Sequence, residues 1–226
     1  MKKCIVILFI LSASILFAQK GTYFRFEGGA SLPLQDLSSQ KWDTSSQTGG
    51  FALTGYNYGI DISWFLQYNM GVSFTYTKNR HLMDDAAIYL KAFEEGIDSQ
   101  LTVESNPWLL NYFLLGFNYQ FYTGERIKLE AKLDIGRLST FCPKVKLRVI
   151  DVNGIIANYE REAVHDAAFA FGGGLGVKYK ISETLHLTLF ANYLFSSTEF
   201  LYKENSIKVK NNLGVLNGTL GLAYKF

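Results

Sequence analysis

Between Ile127 and Gly136 the chain reads IKLEAKLDIG, in which Ile127, Leu129, Ala131, Leu133 and Ile135 alternate without a break against Lys128, Glu130, Lys132, Asp134 and Gly136. A period of two puts one set on each face of an extended strand, whereas a helix would scatter both sets around its axis. One face is wholly apolar and the other almost wholly charged, so the strand must stand between two very different environments.

The same period recurs over residues 22–32, 55–64, 70–77, 112–121, 169–181, 185–193 and 216–226, which makes eight strands. In the first, Phe24, Phe26, Ala30 and Leu32 oppose Tyr23, Arg25, Glu27 and Ser31. In the last, Leu216, Leu220, Leu222, Tyr224 and Phe226 oppose Asn217, Thr219, Gly221 and Lys225. Beyond the first 18 residues no run of 18 or more apolar residues exists, which excludes a bundle of membrane-spanning helices.

Alternation alone also suits a soluble sandwich, and the connectors decide between the two. They run long, short, long, short, long, short, long: residues 33–49, 66–69, 78–107, 123–126, a third excursion, 182–184 and 196–212. Short turns at one end and long loops at the other are the pattern of a transmembrane barrel, and an even strand count puts both termini at the short-turn end. Composition agrees, with 14 Tyr, 18 Phe and 20 Gly but only 3 Pro. Aromatic residues fall at strand ends, as interfacial girdles require: Trp64, Phe121, Tyr179, Tyr224 and Phe226 beside the short turns, and Tyr56, Tyr76, Trp108, Phe169 and Phe195 toward the long loops.

The first residues, MKKCIVILFILSASILFA, have the basic start, apolar middle and small-residue end of a secretory signal peptide, so 1–18 is expected to be removed and 19–226 to form one barrel domain. Cys4 leaves with the leader and Cys142 remains alone, so the mature chain has no internal disulfide. A formal charge of +2 without a basic block gives no footprint for nucleic acid.

The leader, the eight alternating strands, FEGGASLPL after the first strand and the ending AYKF together resemble the small outer-membrane β-barrel family that includes the OmpA and OmpX barrels, over residues 19–226. The resemblance implies an all-β, eight-stranded antiparallel up-and-down barrel in the cell outer membrane of a Gram-negative-type bacterium, with turns in the periplasm and loops outside. It also implies a monomer whose partners are outer-membrane lipid and the barrel-assembly machinery, with Tyr224 and Phe226 as the terminal signal that the machinery reads. It says little about activity, because one scaffold hosts many functions.

An eight-strand interior is just wide enough for side chains to fill. The inward parity holds Arg25, Glu27, Asp61, Glu130, Lys132, Asp134 and Lys178, which are expected to pair as a polar plug, the alternative being a narrow gated ion path. In loop two, Asp84 and Asp85 stand where they can cap a short helix whose Ile88, Phe93 and Ile97 roughly share a face. In loop three, Asn153-Gly154 is a hairpin signal between strand-like runs. Strands five and six are expected to continue through it as a protruding hairpin, with Val145, Leu147, Val149, Ile155 and Tyr159 on one apolar face that either packs on loop two or binds an unknown surface partner.

Enzyme readings are weaker. A lipid A hydrolase is suggested only by His186 and Thr188, two apart but on the inward parity, and a rim protease only by Asp84, Asp85, His165 and Asp166. No catalytic set, cofactor or metal is expected, and no cluster of His and Cys has metal-ligand spacing. The sequence therefore predicts a non-enzymatic barrel with a structural or surface-interaction role.

Overall fold

A computed structural model of the chain describes residues 21–41, 49–66, 69–94, 100–150, 156–202 and 207–226. The expected leader and the Asn153-Gly154 turn lie outside these. In chain order the elements are β1 (Thr22–Gln35), β2 (Gly55–Phe65), β3 (Met70–His81), α1 (Asp85–Glu94), β4 (Gln100–Ser105), β5 (Trp108–Thr123), β6 (Ile127–Cys142), β7 (Val145–Ile150), β8 (Ile156–Arg161), β9 (Val164–Lys180), β10 (Leu185–Tyr202) and β11 (Ile207–Lys225).

Eight of the strands close an antiparallel barrel in the order β1-β11-β10-β9-β6-β5-β3-β2. Closure is made by β11 on β1, from Tyr23 opposite Lys225 to Gln35 opposite Leu213, so neither terminal strand keeps a free edge. Following the register from Phe24 through Ile62, Phe74, Leu115, Ile135, Phe171, Phe195 and Gly214 leads back to β1 at Leu34, a stagger of ten residues from 24 to 34. Eight strands with that stagger tilt by about 40° and leave an interior that side chains can fill.

The alternation in the sequence is the alternation of the barrel wall. Phe26, Leu115, Leu133, Leu175, Leu189, Leu220 and Leu222 are exposed on the outside, while Arg25, Asp61, Lys132 and Lys178 are buried inside. Near the short turns, Tyr119, Phe121, Tyr122, Tyr179, Tyr224 and Phe226 form an exposed aromatic ring. A bulge between Gln120 and Tyr122 adds one residue to β5 and so sets two aromatic side chains there. In the 66–69 turn, Asn69 takes a left-handed φ of 61°, a conformation that Asn tolerates better than most residues.

The strands run well past what a membrane needs. The 19 residues of β11 extend for roughly 60 Å, or about 45 Å of height at that tilt, against an apolar band about 25 Å tall. Above the band the loops add a second layer, a three-stranded sheet ordered β4-β7-β8 with α1 beside it.

This layer corrects the picture of strands five and six continuing as one hairpin. β6 stops at Cys142, and Pro143, which has no N–H to offer a ladder, precedes a fresh strand at Val145. The break also changes which face is covered. Up to Cys142 the even positions point inward, but in β7 the odd positions Val145 and Val149 are buried, Leu147 is half-buried, and Lys146 and Arg148 are exposed.

Candidate functional site

The interior is built in three storeys. At the short-turn end Tyr23, Phe65 and Ala223 form a small apolar floor, with Tyr23 and Phe65 edge to face at 5.6 Å between ring centroids. Over it sits Lys178, its Nζ 4.7 Å from the centre of the Tyr23 ring, 4.6 Å from that of Phe65 and 2.5 Å from Glu130 Oε2. Gln120 Nε2 donates to the same carboxylate oxygen at 3.4 Å. Lys128, half-buried, donates to Tyr23 Oη at 3.1 Å.

The middle storey is a continuous charge network. Arg25 Nε lies 3.0 Å from Glu27 Oε2, and Arg25 Nη2 lies 3.4 Å from Asp61 Oδ2. Asp61 Oδ2 also accepts from Lys132 Nζ at 2.8 Å and from Thr75 Oγ1 at 2.7 Å. Lys132 Nζ stands 3.2 Å from Asp134 Oδ1. All seven residues expected as the polar plug are therefore buried and drawn into ion pairs. Three cations face four carboxylates, and the Lys128 amine at the edge evens the balance, so little net charge is left uncompensated in the core.

Two glycines make the network possible. A methyl group on Gly116 would come within 2.7 Å of Lys132 Cε and 2.6 Å of Asp134 Oδ1. One on Gly176 would run into the Phe190 ring, and that ring lies under the Arg25 guanidinium at 4.1 Å. Above the charges lies a cavity of about 10 Å³ between Glu27, Lys132, Asn192, Asn217 and Thr219, room for about one water.

The third storey is apolar and was missed in the sequence. Inward residues of five strand extensions, among them Leu110, Leu114, Leu138, Leu194, Val209 and Leu213, join Leu37, Phe51 and Ala52 from the first loop, Met83 and Ile88 from the second, and Val145 of β7 in one buried cluster. Trp108, expected in the outer aromatic girdle, is 2% exposed at the centre of this cap. Its Nε1 donates to the Gly50 carbonyl at 2.8 Å and its ring packs on Phe200 at 5.9 Å. Even positions of β5 point inward all the way up, so Trp108 follows the strand's parity rather than the preference of tryptophan for an interface.

The hairpin positions require a second correction. Val145 is buried in the cap, Val149 is buried on the same face of β7, and Leu147 packs on the cap with Val103 of β4, so these side chains are covered by the protein itself. Ile155 and the side chain of Tyr159 lie outside the described residues; the register sets Tyr159 opposite Leu147. The opposite face of the small sheet is polar, with Thr102, Glu104, Lys146, Arg148, Asn158 and Glu160 exposed in cross-strand rows. Lys144 pairs with Glu160 there and holds its carboxyl below the usual glutamate range.

In α1, Ile88 and Ala92 are buried while Tyr89, Leu90 and Phe93 are exposed, so Ile88 and Phe93 do not share a face, and Ile97 lies outside the described residues. Asp84 caps this helix through the Ala87 N–H at 2.9 Å, as expected. Asp85 accepts from Ser105 Oγ at 2.5 Å and so ties α1 to β4.

The groups weighed for catalysis are occupied elsewhere. His186 and Thr188 are buried in the lumen, with His186 edge-on to Tyr23 at 5.4 Å. His165 packs on Phe141 at 4.5 Å, and Asp166 accepts from the Glu199 N–H at 2.9 Å. Among the described residues no three His, Cys, Asp or Glu side chains come together as a metal site.

A closed eight-strand barrel with an apolar outside, an aromatic ring at the short-turn end and a filled core defines a class of integral membrane protein. Residues 5–226 match the family model of the outer membrane protein beta-barrel domain, and the chain belongs to that family, whose place is the cell outer membrane. Among solved structures it is similar to Neisserial surface protein A (11% identity, 92% of this chain and 100% of that one, TM-score 0.53). It is likewise similar to a major outer membrane protein from Thermus thermophilus (12% identity, 92% and 100%, TM-score 0.50). The attachment invasion locus protein of Yersinia pestis, Ail, aligns at 15% identity over 92% and 100% with a TM-score of 0.48. At such identities the likeness concerns the fold alone. No curated protein sequence matches the chain.

Proposed function

We propose that this outer-membrane barrel is a non-enzymatic anchor, monomeric and closed to ions, which presents a folded outer layer for surface interaction. The observation that carries the reading is the filling of the lumen: a paired charge network below and a cap of loop and strand residues above, including Leu37, Trp108 and Leu138. A barrel sealed in this way has its variable chemistry outside, on the polar face of the β4-β7-β8 sheet rather than on the apolar residues of the hairpin.

Cells displaying the wild-type chain are compared with cells displaying Lys146→Glu with Arg148→Glu, for adhesion to host-cell and matrix surfaces. The double variant leaves the barrel and the cap intact, and its adhesion is expected to fall several-fold. Unchanged adhesion across those surfaces would remove the sheet face as the contact and leave a purely structural anchor.

Insertion is proposed to depend on Phe226, which is 75% exposed while its backbone N–H donates to the Thr22 carbonyl at 2.9 Å. Deleting it removes one main-chain bond but the whole terminal aromatic, so membrane levels should drop more than the stability of the refolded barrel. Normal membrane levels of the truncated chain would contradict this.

A further inference from the structure

We propose that Lys78, Arg80 and Arg137 form, on the lipid-facing side of β3 and β6 at the long-loop rim, a binding site for the phosphate groups of an outer-leaflet glycolipid. All three occupy the outward parity of their strands, opposite in phase to the buried Thr77, Asn79 and Leu138. Their height is fixed by the register. Arg137 stands between Phe113 and Phe169, Phe113 pairs in turn with Tyr76, and Arg80 pairs with Tyr56, so the cations lie among outward aromatic side chains at the long-loop end. That is the level at which hydrocarbon gives way to headgroups.

Lys78 and Ser139 both pair with Asn111, which sets Lys78 two strands and two residues from Arg137, roughly 12 Å between α-carbons. Arg80 is two residues above Lys78 on the same face, and its Nη1 donates to Tyr56 Oη at 3.2 Å, which steadies the guanidinium while leaving its other donors free. The spacing suits two phosphates carried on one headgroup better than a single small anion. A guanidinium offers parallel donors to phosphate oxygens, and an ammonium adds a point charge.

The contrast with the lumen supplies the second observation. There Arg25, Lys132 and Lys178 each have a carboxylate within reach, whereas among the described residues no carboxylate pairs with Lys78, Arg80 or Arg137. Nor are the three spread around the rim as isolated snorkelling residues are. On the far flank, Leu32 of β1 pairs with Leu216 of β11 at the corresponding outward positions. Three uncompensated cations gathered on one lipid-facing flank call for an anion that the membrane itself provides.

The test is native mass spectrometry of the refolded full barrel in detergent, titrated with lipid A bearing two phosphates, with the same lipid after phosphatase treatment, and with sodium phosphate as competitor. The phosphorylated lipid is expected to bind at least tenfold more tightly than the dephosphorylated one and to stay bound in millimolar phosphate. Equal binding of the two lipids by the wild-type protein overturns the proposal without any variant. Displacement by inorganic phosphate also overturns it, by assigning the site to a free anion. Lys78→Gln with Arg80→Gln and Arg137→Gln should abolish the preference while keeping the heat-sensitive gel mobility of a folded barrel, and Lys78→Arg with Arg137→Lys should retain it. Persistence of the preference in the triple Gln variant would place the phosphate contact elsewhere.

Discussion

In the lower lumen, Arg25, Lys132 and Lys178 are held against Glu27, Asp61, Glu130 and Asp134; in the upper lumen, Leu110, Leu114, Leu138 and Trp108 are held against Leu37, Phe51 and Ile88. Both fillings occupy the same barrel, but they respond to damage differently. A charge network is a set of mutual obligations, since a removed cation leaves its carboxylates buried and unpaired. An apolar cap loses only the contacts and volume of what is removed.

The largest expected effect follows from that difference. Lys132 bridges Asp61 and Asp134, so Lys132→Met should cost about 3–5 kcal/mol in urea unfolding of the refolded barrel, although methionine nearly preserves the volume. Lys178→Met alone should cost a similar amount, whereas Lys178→Met combined with Glu130→Met should recover most of the loss, because pair and obligation are removed together. Additive losses in that cycle would mean that the two charges are not coupled.

Leu138→Ala, in the upper half, should cost about 2–4 kcal/mol with no rescue by a neighbouring change, as expected for a cavity. It should also loosen the outer layer, seen as faster proteolysis above the membrane. A smaller perturbation separates the loop layer from both storeys. Glu160 lies on the exposed sheet face beside Lys144, which lowers its pKa in the folded chain. The pair therefore contributes above the ordinary glutamate pKa of about 4.3, and its contribution is lost as pH falls through the lowered value. A carboxyl titration by NMR should place Glu160 below ordinary glutamates, and Lys144→Ala should return it to their range.

The two halves were also unequally legible in the sequence. The charged storey could be read because strand parity assigns each residue to a face from its neighbours alone; Lys128 to Asp134 show it within one segment. Parity was equally sufficient for the exposed ends of the terminal strands, whereas closure needed the alternation of long and short connectors as well. The cap could not be read that way, because Leu37, Met83, Ile88, Leu138 and Leu213 are far apart in the chain and meet only once strand extensions, a loop and a helix have been brought together.

Single residues show the same limit. Trp108 suited an interface by type but is turned inward by its strand. Val145 and Val149 held the outward parity of β6 until Pro143 ended that strand and the next one started in the other phase. The role of Gly176 in admitting Phe190 beneath Arg25 is likewise invisible in one dimension.

The central claim is that both fillings together close the barrel, and ion conductance measures it directly. Purified, refolded protein in planar bilayers at about 1 M potassium chloride, where charge screening is nearly complete, should give no discrete conductance steps beyond the bare membrane. Reproducible steps whose size scales with salt would contradict a sealed lumen and return the narrow gated pore in its place.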